Sequence, residues 1–118
     1  MRRDNLFIED ILDAMNKIFK YTEEMDKEEF KKNELVIDAV LRNIEIIGEA
    51  SNKVSDEMKS DYQDVPWSKM IGLRNIVIHD YFGVDLDIIW EVIDFIGRKP
   101  DGLALWLNAD IFYAIKYC

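Results

Sequence analysis

The chain has 118 residues, a formal net charge of -9 and one cysteine, Cys118. A single domain of this length, expected to span 1–118, buries about 65% of its unfolded surface, enough for a core without a disulfide framework or a cysteine metal cage. The acidic balance excludes bulk electrostatic adhesion to nucleic acid, because neutralising phosphates takes Lys and Arg, so any RNA contact has to come from a local basic pocket.

Glu9, Asp10 and Asp13 interrupt the N-terminal segment that a signal peptide would need apolar. The longest apolar stretch, Leu103 to Tyr117, is broken by Asn108 and Asp110 and falls short of the ~20 residues of a spanning helix. The expectation is a cytoplasmic protein with no membrane span.

From Asp4 to Met25, Leu6, Phe7, Ile8, Ile11, Leu12, Met15, Ile18 and Phe19 recur at helical spacing between charged residues, which predicts a long amphipathic helix. Asp26 followed by Glu29 reads as a capping box opening a short turn that carries Phe30. A second long helix is predicted from Asn33 to Val54, with Leu35, Val36, Ala39, Val40, Ile44, Ile47, Ala50 and Val54 on its apolar side. Gly48 lies inside that run, where glycine costs about 1 kcal/mol against alanine; a close helix crossing explains it better than approach of a ligand.

Ser55 to Asp64 reads as a helical turn and loop, and Pro66 suits a helix start. Trp67, Met70, Ile71, Leu73, Val77 and Ile78 give the third major helix its buried side, with Gly83 placed to end it. Asp85 and Asp87 complement the amide dipoles at the start of a fourth, whose apolar face is Leu86, Ile89, Trp90, Val92, Ile93 and Ile96. Gly97 and Pro100 close it. Leu103 to Tyr117 predicts a fifth helix that needs cover nearly all round. No stretch alternates with period two, so the fold expected is an all-α, up-and-down bundle of four to five helices.

The segment from Gly72 to Gly83 concentrates Arg74, Asn75, the only histidine, His79, and Tyr81 among apolar residues. At about 100° per residue Asn75 and His79 share one helix face, Arg74 and Tyr81 another, and Arg74 and His79 stand about 140° apart. Opposing two copies of the helix across a two-fold axis would make the groups converge, which predicts a homodimer. The residue types suit RNA cleavage without a metal: His79 as general acid or base, Arg74 on the phosphate, Asn75 orienting either. One histidine and one cysteine make a zinc or di-iron centre a poor fit, and no cofactor is expected. Spacing alone more often means a hydrogen-bonded structural histidine, a solvated arginine and a core-edge tyrosine than a catalytic set.

Arg74-Asn75 with His79 after four intervening residues resembles the R-x4-H motif of the HEPN superfamily, and His79-Asp80-Tyr81 resembles the H-x-Y form of HepT-like toxins. Asp38-Ala39-Val40, Ile46-Ile47-Gly48-Glu49-Ala50, Val65-Pro66-Trp67 and Asp87-Ile88-Ile89-Trp90 follow the same family in the same order. The resemblance covers about residues 1–96. It implies a homodimeric HEPN-like ribonuclease toxin of a type VII toxin-antitoxin pair, with Arg74 and His79 of both protomers lining one cleft and RNA as substrate. It also implies a nucleotidyltransferase antitoxin of the MntA type that adenylylates Tyr81. The tail from Gly97 to Cys118 departs from the family pattern. The alternatives are a non-catalytic substrate-binding or regulatory subunit of a two-component nucleotidyltransferase, and a plain helical dimerisation module.

Overall fold

The computed structural model describes residues 2–79 and 85–96, and every element among them is helical: α1 (Arg2–Thr22), α2 (Lys27–Lys31), α3 (Glu34–Lys53), α4 (Asp56–Asp61), α5 (Trp67–His79) and α6 (Leu86–Ile96). Four of these are long. The other two, α2 and α4, are the short turns expected around Phe30 and after Ser55. The predicted fifth long helix, Leu103 to Tyr117, lies outside the described residues, as do Gly83, Gly97 and Pro100.

The helix starts follow local chemistry. Asp26 accepts from the Glu29 amide at 2.8 Å while the Glu29 carboxylate accepts from the Asp26 amide at 3.3 Å, the reciprocal capping box. Asn33 accepts from the Val36 amide to start α3, Ser55 from the Met58 amide to start α4, and Asp85 from the Asp87 and Ile88 amides to start α6. Each places a side-chain oxygen over amides that have no partner inside their own helix. The first helix stops at Thr22, whose hydroxyl donates back to the Ile18 carbonyl at 2.7 Å.

The central element is α3, packed against α1 on one side and α5 on the other. Both carboxylate oxygens of Asp4, near the start of α1, accept from Ser55 just past the end of α3, so the two helices run antiparallel. Ile8, Ile11, Met15 and Ile18 of α1 meet Val40, Ile44 and Ile47 of α3, Met70 and Leu73 of α5, and Ile89, Ile93 and Ile96 of α6 in one core. Phe30 of α2 closes one end against Trp90, with ring centroids 5.4 Å apart and planes tilted by 38°.

Two residues assigned to apolar faces are exposed: Leu6 at 57% and Leu35 at 81%. Each lies nine positions before a fully covered residue, Met15 or Ile44. Nine residues are about two and a half turns, so a side chain at that offset points away from the core.

Candidate active site

The helix that carries the motif is pinned at its start. The Val65 amide donates to the Tyr62 carbonyl at 3.1 Å and the Trp67 indole donates to the same carbonyl at 3.0 Å, which holds the turn into α5. The Pro66 carbonyl then accepts the first helical bond, from the Met70 amide at 3.0 Å, as a proline at a helix start allows. Trp67, Met70 and Leu73 turn into the core, while Arg74 and Asn75 are exposed. His79, the last described residue of α5, lies five residues and about 7.5 Å of helical rise beyond Arg74. The side chain of His79 lies outside what the structure describes, and so does Tyr81 entirely.

Gly48 lies where α3 crosses α5, and the residue it meets is Arg74. A Cβ built on Gly48 would stand 2.7 Å from the Arg74 Cβ and 2.8 Å from the Arg74 backbone nitrogen. The crossing expected from an interior glycine is present, against one of the proposed reaction groups. Arg74 thus starts at a helix contact and still reaches solvent.

Two further cations, Arg42 and Lys53, lie on α3. Arg42 is exposed on α3. Lys53 turns toward α1, with its Nζ 6.0 Å from the centre of the Phe7 ring, beside an open hollow of about 610 Å³ lined also by Arg3, Asp4 and Ser55. Lys53 therefore belongs to the α1 side of α3. Among the described residues no group of three His, Cys, Asp or Glu side chains could hold a metal ion, and no helix is long and apolar enough to cross a membrane.

On the opposite helix pair, Asp87 of α6 accepts from Lys27 and Lys31 of α2, each at 3.2 Å. The hydrogen bonds from Lys27 and Lys31 hold the Asp87 carboxyl below its ordinary value of 3.8, and the bond to Asp87 raises Lys31 above 10.5. This link ties the Asp-Ile-Ile-Trp segment to α2, a use of Asp87 beyond the helix start expected of it.

The family model for HepT-like ribonucleases matches residues 11–95. The chain belongs to the HepT-like family. Among its relatives are two Methanocaldococcus jannaschii proteins named as candidate RNases: one is 41% identical over 74% of this chain and 80% of the relative, the other 39% identical over 75% and 77%. A third, named as a probable ribonuclease HepT, comes from Thermococcus cleftensis and is 37% identical over 74% of this chain and 79% of its own length. No solved structure matches. The HepT-like match takes in Arg74, Asn75, His79 and Tyr81, and it ends at residue 95.

Sequence reasoning missed Asp4. Its partner is 51 positions away, and nothing near it in the chain marks it as more than another charge on an amphipathic helix.

Proposed function

We propose that this chain is the ribonuclease of a type VII toxin-antitoxin pair, cleaving RNA without a metal at a cleft between two copies of α5. The observation that carries this reading is the exposed Arg74-Asn75 pair on the helix that also holds His79, within a chain of the HepT-like ribonuclease family. In the cleavage step His79 takes the proton of a ribose 2'-hydroxyl. The 2'-oxygen bonds to phosphorus, the bond from phosphorus to the 5'-oxygen breaks, and the leaving oxygen receives a proton. A two-fold dimer supplies a second His79 for that return, so one imidazole accepts while the other donates. Arg74 pairs with the non-bridging oxygens as charge builds on them, and Asn75 orients phosphate or imidazole.

Control follows from Tyr81. An MntA-like nucleotidyltransferase would join the Tyr81 oxygen to the α-phosphorus of ATP, with pyrophosphate leaving and the phenol proton passing to solvent. The attached AMP carries a phosphodiester charge and, if the helical spacing of Arg74 and Tyr81 continues past His79, brings it to the side of Arg74, where it competes with RNA phosphate.

The test is cleavage of single-stranded RNA by the purified chain in chelator-containing buffer. His79→Ala is expected to lower the rate by about 10^2 to 10^4-fold, the usual worth of a general acid or base. A His79→Ala protein as active as the parent would sink the proposal. The net charge of -9 favours one rival, a non-catalytic subunit that serves a nucleotidyltransferase. That rival predicts a tight complex with the transferase and no cleavage by the chain itself.

A further inference from the structure

We infer that Gly48 is a positioning residue for Arg74: the absence of a side chain at Gly48 sets where the arginine begins and hence where its guanidinium can reach. The inference rests on the ribonuclease reading above. It starts from the closeness of the crossing. The nearest atoms to a Cβ on Gly48 would be the Arg74 Cβ at 2.7 Å, its backbone nitrogen at 2.8 Å and its Cα at 3.1 Å. None of these is the tip of a flexible side chain. All belong to the fixed part of α5, so a methyl group at Gly48 can be relieved only by moving the helix backbone.

The size of that movement follows from the same distances. Real Cβ contacts hardly ever fall below 3.0 Å and ordinary contact begins at 3.4 Å, so the 2.7 Å approach must open by 0.3 Å and reaches ordinary contact after 0.7 Å. The glycine of α5 itself gives the contrast: a Cβ on Gly72 would meet nothing within 4 Å. The helix is therefore gauged against α3 at Arg74 and has open space at Gly72. Leu73, the neighbour of Arg74, is buried, so α5 is held from the core side as well. Arg74 is exposed, and its long chain inherits any shift of its base.

Displacing a reacting group by about 1 Å can cost about 10^2-fold in rate. An opening of 0.3–0.7 Å between Gly48 and Arg74 should accordingly lower kcat by roughly 10-fold or more with KM changed little.

The experiment measures kcat and KM for RNA cleavage by the full chain as wild type, Gly48→Ala, Arg74→Ala, the double variant, and Ile18→Val as a remote core control. The expected result is a large loss for Gly48→Ala, little loss for Ile18→Val, and no further loss when Gly48→Ala is added to Arg74→Ala. Equal losses in the Arg74 and Arg74→Ala backgrounds would overturn the inference, because Gly48 would then act on the fold rather than through the arginine. A fully active Gly48→Ala would overturn it too. If Arg74→Ala itself cleaves at the parental rate, the ribonuclease assignment of Arg74 fails, and Gly48 has no reacting group to position. Should Gly48→Ala not fold in buffer, all variants are compared in sucrose, which favours burial. A chain still unfolded there also overturns the inference, since the crossing would be holding the fold rather than placing one side chain.

Discussion

Asp4 is buried, and both of its carboxylate oxygens are engaged: one accepts from the Ser55 amide at 2.9 Å, the other from the Ser55 hydroxyl at 2.6 Å. The same hydroxyl oxygen accepts from the Met58 amide, so Asp4 orients the cap of α4 as well as fixing the end of α3. Asp4→Ala is expected to destabilise by about 1–3 kcal/mol, the range for losing hydrogen bonds to a charged, buried group. Urea unfolding checks this: the midpoint should fall with the slope unchanged. Asp87 makes the opposite case, an exposed carboxylate between two lysines. Its pKa is lowered, so its contribution to stability is complete above the unfolded value of 3.8 and is lost as pH falls through the folded one. The raised pKa of Lys31 makes its contribution complete below 10.5 and lost as pH rises beyond. An NMR titration of the Asp87 side chain should give a midpoint below 3.8 that returns toward it in a Lys27→Ala, Lys31→Ala double variant.

At the scale of the element, α3 shows what periodicity gives and what it leaves open. Val40, Ile44, Ile47, Ala50 and Val54 are buried as the spacing predicts, but Leu35 at the first turn is not. Ile44→Ala and Ile47→Ala should each cost about 2–5 kcal/mol, since both sites are fully enclosed. Leu35→Ala should stay within about 0.5 kcal/mol, as surface changes do. Thermal melts of the three variants separate the cases, and a Leu35→Ala loss as large as the other two would show that something covers Leu35 in solution. In α5 the arrangement of apolar residues is less decisive, because they occur nearly all round the helix. The docking side is fixed by Trp67, Met70 and Leu73 together with the Gly48 crossing.

The whole molecule combines an acidic surface with a proposed cleft that meets phosphate through one arginine from each protomer. Two phosphate contacts on single-stranded RNA give a slope of about -1.4 for the logarithm of affinity against the logarithm of salt concentration. RNA binding by catalytically silent His79→Ala protein should show that shallow slope, and it should flatten toward zero when Arg74→Ala is added. A slope several times steeper would mean that other cations, such as Arg3 or Lys53, carry the RNA.

How much of this was legible beforehand divides by distance along the chain. The helical class, the capping box at Asp26 and Glu29, and the helix starts at Asn33, Pro66 and Asp85 rest on contacts within four residues, and such contacts are written in the local order of side chains. The motif that carries Arg74, Asn75 and His79 is local in the same way. The sequence by itself also favoured a crossing at Gly48 over approach of a ligand, because an interior helix glycine needs a reason to be there, and the structure shows the crossing. Only the tertiary structure decided that the crossing meets Arg74, that Asp4 binds Ser55, that Asp87 bridges Lys27 and Lys31, and that Leu6 and Leu35 face outward. A helical period states which side chains share a face. Which face meets which neighbour, and at what depth, is settled when whole helices dock and their ridges and gaps have to fit at once.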